Sequence, residues 1–185
     1  ATHGLALGGD HIDQRLFREL LFPLLGKGER WGRRGDERWI ETRFPFEQYE
    51  ELLLNWTVGY TLNQNRYLAP VRDCMRQEGE SGRRFRRLHE LIVHNQGYRV
   101  FEALRLANAE LSSAEETLID VPEIDVSVPL TRARFEGLIA DFLERLDGAV
   151  ERALAAAGLE AEAVDVVIRT GGSSQIPVFI AMLED

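Results

Sequence analysis

One short segment near the carboxyl end of this 185-residue chain constrains its fold more than any other. Residues 164–168, VDVVI, form a nearly continuous apolar run, which is the pattern of a β-strand buried on both faces. A small-residue turn, TGGSS, follows at 170–174, and the next apolar residues, Ile176 to Leu183, predict a helix with Pro177 in its first turn. The segment therefore predicts a strand–turn–helix unit of an α/β fold.

Most of the remaining chain is predicted to be helical, which makes the fold helix-rich α/β. Helical apolar spacing predicts helices over 12–24, after Pro45 through Tyr60, over 68–77, over 83–111, and from a cap at Thr131 to a stop at Gly158. Pro23 lies late in the first of these helices and is expected to bend or end it. Strands are predicted at 3–7, 117–121 and 124–128. The polar, Gly- and Arg-rich stretch 26–43 predicts an exposed loop with a short strand over 38–42.

Composition narrows the classes of function. The net charge is −9, from 31 acidic and 22 basic residues, which disfavours a nucleic-acid binder. No apolar run approaches the roughly 20 residues that cross a bilayer, so no membrane association is expected. Cys74 is the only cysteine, which excludes an internal disulfide and a thiolate-rich metal site and favours the cytoplasm. Lys27 is the only lysine, so lysine-based chemistry is nearly excluded.

Several conspicuous side chains are interpreted as structural. The five arginines over 82–99 indicate a solvated helix face, and His89 and His94 are spaced too far apart for one helical face, so no metal site is expected. The carboxylates Glu115, Glu116, Asp141 and Glu144 are interpreted as exposed charges. Cys74 is predicted to be inert and Trp56 to pack in the core, whereas Trp31 and Trp39 could belong either to the core or to a binding groove.

The turn Gly171-Gly172-Ser173-Ser174 has the chemistry of a ligand corner. Glycines let a backbone approach a ligand closely, serines add hydroxyl donors and acceptors, and the following helix offers free N–H groups. The turn lacks the lysine of a GxxxxGK[ST] phosphate loop. Taken alone, it is also compatible with a simple connection that ends in a serine cap.

Three separated segments, in order, resemble the seventy-kilodalton heat-shock (DnaK-type) chaperones. Residues 7–13, LGGDHID, resemble that family's LGG-x-x-F-D segment. Residues 130–136, LTRARFE, resemble its LTR-x-KFE segment, and residues 169–177, RTGGSSQIP, resemble its adenosine-side GGS-x-R-IP turn. The segment FPLLG at 22–26 and the aromatic helix around Trp56 are closer to divergent bacterial DnaK-like proteins.

The resemblance implies the actin-like, ribonuclease-H-like ATPase fold, in which two lobes flank an ATP cleft. This chain would supply part of the second lobe. Residues 1–12 and 129–185 would belong to its inner subdomain, and residues 13–128 would form its outer subdomain, an insertion of helices and a small sheet. The start without methionine fits a piece cut from a longer protein.

The resemblance also implies a set of nucleotide-binding residues and no catalytic residue. Gly171, Gly172 and Ser173 match the adenosine turn, Ser112 matches the end of the adenine-contacting helix, and Gln175 stands where the family has an arginine that stacks on the base. Arg105, Asn108 and Ala109 replace that helix's Glu, Lys and Arg. The family's two phosphate loops and its first-lobe lysine do not occur in this sequence.

The resemblance therefore implies that this chain forms the adenosine side of an ATP/ADP cleft, in which the parent protein would bind the nucleotide with Mg²⁺. This piece alone is expected to hydrolyse no ATP and to bind nucleotide weakly or not at all. Whether the parent is an ATPase stays open. Implied partners are the rest of the nucleotide-binding domain and a nucleotide-exchange or co-chaperone protein. The alternative is a non-catalytic interaction module with a degenerate nucleotide site. Another actin-like ATPase, such as a sugar kinase, is disfavoured by the LGGDHID and TRARFE segments.

Overall fold

A computed structural model describes residues 8–34, 39–170 and 175–184 of the chain. Over these residues the fold is helix-rich with two small antiparallel sheets. The helices are α1 (Gly9–Leu16), α2 (Glu47–Leu53), α3 (Asn65–Cys74), α4 (Gly79–Val93), α5 (Gly97–Glu110), α6 (Arg132–Leu138), α7 (Ala140–Ala157) and α8 (Pro177–Glu184). The strands are β1 (Arg30–Arg34), β2 (Trp39–Arg43), β3 (Glu116–Val121) and β4 (Val126–Thr131).

The first helical segment continues past α1 without a break. A π-helical turn, Phe17–Leu21, leads into a 3-10 turn, Phe22–Leu25, and Gly26 ends the run in the left-handed region at φ 97°. Pro23 has no N–H to donate to the preceding turn, and it lies where the π-helical turn passes into the 3-10 segment. The predicted helix over 12–24 and its late distortion at Pro23 are confirmed.

An aromatic cluster forms the centre of the core. Phe17 contacts Phe22 and Phe101, at centroid distances of 4.9 Å and 5.6 Å. The ring of Phe44, at the exit of the first hairpin, lies 4.7 Å from that of Phe85 on α4. These rings are fully or almost fully buried, so the cluster joins the first helical segment to α4, α5 and the hairpin.

The region 26–43 is a β-hairpin, and the predicted loop is wrong over residues 30–34. Strand β1 pairs antiparallel with β2, with Arg30 opposite Arg43 and Arg34 opposite Trp39. The strand predicted over 38–42 corresponds to β2. Backbone pairing between these strands needs no apolar alternation, so the polar sequence of β1 carries no strand signal.

Two predicted long helices are each broken in the structure. The stretch 83–111 forms α4 and α5, separated at Asn95, which has φ 51°, and α4 begins already at Gly79. The helix predicted from Thr131 to Gly158 is divided at Ile139 into α6 and α7. Its limits are confirmed, because the Thr131 hydroxyl accepts a hydrogen bond from the Arg134 N–H at 3.3 Å and Gly158 adopts φ 67°.

The helix predicted after Pro45 is shorter than expected. It ends at Leu53 and is followed by turns and a 3-10 segment, Gly59–Asn63. Trp56 therefore lies at the surface, 42% exposed, with its ring 5.5 Å from that of Tyr98. The expectation that Trp56 packs in the core is wrong. Trp31 is partly buried against the core, whereas the side chain of Trp39 lies outside the described part of the structure.

The second hairpin confirms the predicted strands at 117–121 and 124–128, with β4 starting two residues later. Glu116 pairs with Thr131 and Val121 with Val126, and a 3-10 turn, Pro122–Ile124, connects the strands. Alternate residues of β3 are buried, so one face of this hairpin packs on α5 and the other faces solvent.

The strand predicted over 164–168 is not present in the described structure. These residues have no regular secondary structure, and Val166 and Ile168 are 72% and 84% exposed. A lone strand cannot satisfy its backbone groups, and no described strand lies beside this one. The strand predicted at 3–7 lies outside the described residues, as does the turn 171–174. The helix predicted after Ile176 is confirmed as α8.

Replacing Gly82 by alanine should strongly destabilise the chain. An added Cβ would lie 1.9 Å from the carbonyl oxygen of Gln77, so α4 and the turn before it would have to separate. We expect Gly82→Ala to lower the free energy of unfolding by about 2 kcal/mol or more, measured by urea denaturation. Gly137→Ala is the control, because a Cβ there meets nothing within 4 Å and should not destabilise. Equal stability of the two variants would contradict this packing.

Candidate functional site

Helices α1 and α5 pack together along a stripe that carries the residues predicted to bind adenosine. Phe17 contacts Phe101, and four residues further along α5 Arg105 Nε lies 3.8 Å from Asp13 Oδ2 on α1. The order of these contacts shows that the two helices run antiparallel. Asn108 follows Arg105 by three positions and so lies on nearly the same face of α5.

Asp13 is the most unusual side chain on this stripe. It is 2% exposed, and its Oδ1 atom has no hydrogen-bond partner among the described residues. Burial raises the pKa of Asp13 to about 6, while the Arg105 guanidinium opposes the shift and Asp10 adds to it. Sequence analysis did not identify Asp13 as a site residue, although the signal was there: an acid in the buried face of an amphipathic helix.

The predicted residues on α5 have different environments. The Arg105 side chain is half exposed, and its guanidinium is directed to Asp13. Asn108 Oδ1 is buried and has no hydrogen-bond partner within the described ranges, so among them its acceptor capacity is unused. The Ser112 hydroxyl, in the turn after α5, donates to the Ala109 carbonyl at 2.6 Å, and its oxygen lone pairs can still accept.

The structure brings Arg105, Asn108 and Ser112 together on the carboxyl-terminal half of α5 and the turn after it. Gln175 is exposed just before α8. Gly171, Gly172 and Ser173 lie outside the described residues, so their position relative to α5 stays a prediction. The described part of the site can donate through a guanidinium and accept through amide, hydroxyl and carboxyl oxygens.

A shallow groove of about 370 Å³ lies on another face of α5, between it and β3. Leu106 and Leu118 expose 66% and 53% of their surfaces there. Its rim is mostly acidic, with Arg99 as the one base in a lining made of Arg99, Glu102, Ala103, Leu106, Glu110, Leu118, Asp120, Val121, Pro122 and Glu123. The groove thus combines apolar contact area with negative charge.

Other candidate chemistry is weak in the described residues. Cys74 is fully buried, and burial raises the pKa of its thiol to about 12, so the nucleophilic thiolate is disfavoured. No group of three or more His, Cys, Asp and Glu side chains in the described ranges is arranged to hold a metal ion. Within those same ranges, no helix has the length and apolar character needed to cross a membrane.

Known proteins resemble the part of the chain that contains this site. Residues 94–185 match the family model described as Hsp70 protein. The chain is 38% identical over 95 residues to the chaperone protein DnaK of Halobacterium salinarum, an alignment that covers 47% of this chain and 15% of that protein. For DnaK of Thermus thermophilus the identity is 43% over 89 residues, and the alignment covers 43% of this chain and 14% of that protein. For DnaK of Deinococcus deserti the identity is 40% over 97 residues, and the alignment covers 47% of this chain and 15% of that protein.

These matches show that residues 94–185, about half of the chain, are those of a DnaK-type protein of the Hsp70 family. The predicted family resemblance is therefore confirmed, and the family implies the actin-like ATPase fold, with which the helix-rich structure is compatible. The aligned part spans about 15% of the length of these curated relatives. The family-model match, residues 94–185, contains α5, Ser112, the LTRARFE segment and the turn 171–174.

The buried carboxyl of Asp13 predicts a distinct dependence of stability on pH. Its pKa rises from 3.8 to about 6 on folding, so the folded chain binds this proton more tightly than the unfolded chain. The stabilisation that comes from this tighter proton binding is therefore full below about pH 4 and is lost as the pH rises through about 6. We expect Asp13→Asn to exceed the parent chain in free energy of unfolding at pH 7.5 by roughly 2–3 kcal/mol, and to match it near pH 4.

Urea denaturation at several pH values between 4 and 7.5 measures this difference. Glu19→Gln is the matched control, since Glu19 is an exposed acid in the same helical segment. A stability difference between Asp13→Asn and the parent chain that does not change with pH would contradict the assignment.

Proposed function

We propose that this chain forms part of the second lobe of a DnaK-type nucleotide-binding domain and supplies the adenosine side of its ATP/ADP cleft. The observation that carries the proposal is the Hsp70-family match over residues 94–185, since that stretch holds both adenosine-side elements of the resemblance. These are the end of α5 with Ser112 and the turn Gly171-Gly172-Ser173. Arg105, Asn108 and Gln175 occupy the remaining positions of this proposed site.

We further propose the division into an inner subdomain, residues 1–12 and 129–185, and an outer subdomain, residues 13–128. Three consecutive residues of α1 support a junction there. Asp13 is paired with Arg105 on α5, and Gln14 Nε2 donates to the Leu54 carbonyl at 3.4 Å, so both contact the outer part. Arg15 instead bonds Asp141 at 2.9 Å and lies 4.7 Å from the centre of the Phe142 ring.

The exposed apolar run 164–168 supports the same proposal. Apolar residues in a row that are exposed and pair with none of the described strands suit a strand whose neighbours lie in another part of the natural protein. In that protein the rest of the nucleotide-binding domain would cover them. This partnership would let the lobe move as nucleotide exchanges, as in a hinge closure around a ligand.

Hydrolysis is not proposed for this piece alone. Phosphoryl transfer needs groups that hold the phosphates, Mg²⁺ and an oriented water. In the family those groups belong to the two phosphate loops and the first lobe, which this sequence does not contain. ATP or ADP, with Mg²⁺, is proposed as the ligand of the natural protein, in the cytoplasm, with weak or absent binding by the fragment.

A non-catalytic interaction module is the second candidate, and one observation favours it. Arg105 stands where the family has an acid, and its guanidinium is directed to the buried carboxyl of Asp13. Asn108 and Ala109 replace two cations with neutral side chains. The adenine clamp is thus degenerate, which lowers the expected affinity for nucleotide. The retained Gly171-Gly172-Ser173 turn supports the nucleotide-binding candidate instead.

Calorimetry with MgADP and MgATP on the natural protein that carries this chain distinguishes the two candidates. Binding is expected, and Gln175→Arg should tighten it about three- to tenfold, because a guanidinium stacks on the base better than an amide. Arg72→Gln, an exposed change on α3, is the control. Arg169→Gln is unsuitable, because Arg169 lies in the same segment as Gln175. No heat of binding for either nucleotide would favour the interaction module.

The α5–β3 groove is proposed to receive a nucleotide-exchange or co-chaperone protein. Leu106 and Leu118 offer apolar contact, and the acids Glu102, Asp120 and Glu123 favour a partner that presents basic and apolar side chains. Arg99 pairs with Glu102 at 3.1 Å and with Glu123 at 3.9 Å, but the lining holds four acids, Glu110 included, against this one base, so a net negative charge remains. No nucleic-acid or membrane partner is proposed.

Leu106→Glu should weaken binding of an exchange factor of the DnaK system by about tenfold or more, because it places a charge in the apolar centre of the groove. Fluorescence titration of the labelled factor measures the affinity, which should also fall as salt is added. Leu159→Glu makes the same change at another exposed leucine, after α7, and should have no effect. Equal losses in the two variants would exclude the groove as the binding surface.

A further inference from the structure

A side chain from another helix bonds both sides of the turn that carries Ser112. Arg132, at the start of α6, uses all three guanidinium nitrogens. Nε donates to the Leu111 carbonyl at 3.0 Å, Nη2 to the Ala114 carbonyl at 2.8 Å, and Nη1 to Glu115 Oε1 at 2.6 Å. The backbone N–H of Arg132 also donates to the Glu115 carbonyl at 2.8 Å, next to the last pair of the β3–β4 ladder.

These bonds fix the backbone on both sides of Ser112. Leu111 ends α5, and Ala114 and Glu115 lead into β3, so the guanidinium spans the whole turn. The Arg132 side chain is only 19% exposed, whereas that of Glu115 is 83% exposed. The two partly buried bonds to carbonyls therefore contribute more than the surface ion pair, since solvent weakens the latter.

Other hydrogen bonds also close this turn. The Ser112 and Ser113 hydroxyls donate back to the Ala109 and Glu110 carbonyls, and the Thr117 hydroxyl on β3 donates to the Glu110 carboxylate on α5. Arg132 adds bonds from a different helix to the carbonyls of Leu111 and Ala114, which lie on the two sides of Ser112. A planar fork of donors suits several acceptors at fixed angles, which a lysine ammonium at the same place would not match.

We infer that Arg132 is a positioning residue for nucleotide: it holds the 111–115 turn so that the Ser112 hydroxyl faces the bound adenosine. This inference rests on the proposed function of the site. The LTRARFE segment then has a role beyond its helix cap at Thr131. Arg132 lies at the proposed boundary between the outer and inner subdomains and contacts no nucleotide itself.

The first measurement is amide hydrogen exchange at residues 112–115 in Arg132→Gln and Arg132→Lys. We expect exchange there to be about tenfold faster in Arg132→Gln and intermediate in Arg132→Lys, with no change in α4. Arg134→Gln is the matched control, because Arg134 is an exposed arginine two residues further along α6. Unchanged exchange at 112–115 in Arg132→Gln would overturn the inference.

The second measurement is the affinity for MgADP of the natural protein, by calorimetry. Arg132→Gln and Ser112→Ala should each raise the dissociation constant by about five- to tenfold, and the double variant should be no weaker than Ser112→Ala. A purely structural role would instead make the two losses add. If Arg132→Gln does not fold, Arg132→Lys gives the same comparison with a smaller effect.

The outcomes separate this inference from the proposed function. If the unmodified protein binds no nucleotide, the proposed function fails, and the nucleotide role of Arg132 fails with it. If that protein binds MgADP and Arg132→Gln binds it equally well, only the role of Arg132 is overturned.

Discussion

The packing of the first helical segment against α4 and α5 is the constraint on which the rest of the described structure depends. Phe17 and Phe22 belong to that segment, and their rings contact Phe101 on α5 and Phe46 before α2. Gly26 ends the segment where an added Cβ would lie 2.8 Å from the Phe85 ring. Because the backbone can approach Phe85 closely there, the chain turns directly into the first hairpin, and Phe44 at its exit returns to the same cluster.

This packing also explains the character of the candidate site. Bringing α1 against α5 through Phe17 and Phe101 forces the carboxyl of Asp13 out of water, opposite Arg105. The buried carboxyl is held at a cost in stability near neutral pH, which a neutral residue would avoid. In the proposed nucleotide-binding domain this polar stripe faces the adenosine side, and Arg132 fixes the turn at its end.

Family membership was accessible from the sequence because its signals are local. LGGDHID, LTRARFE and RTGGSSQIP are short segments whose residue types and order can be compared without knowing the fold. The match over residues 94–185, which contains the last two, confirms the family resemblance. The predictions for Gly171, Gly172 and Ser173 stay untested, since these residues lie outside the described structure. The roles of Arg105, Asn108, Ser112 and Gln175 in binding adenosine stay proposals about the natural protein that carries this chain.

The sequence by itself determined the elements whose signals lie within a few residues: the helix cap at Thr131, the stop at Gly158, the second hairpin and the distortion at Pro23. Tertiary structure decided what depends on distant partners. It paired the polar strands β1 and β2, placed Trp56 at the surface, broke one helix at Asn95, and left Val166 and Ile168 exposed. It also put Asp13 beside Arg105 and Arg132 around the Ser112 turn, because burial and hydrogen bonding between residues far apart in the chain follow from packing and not from periodicity.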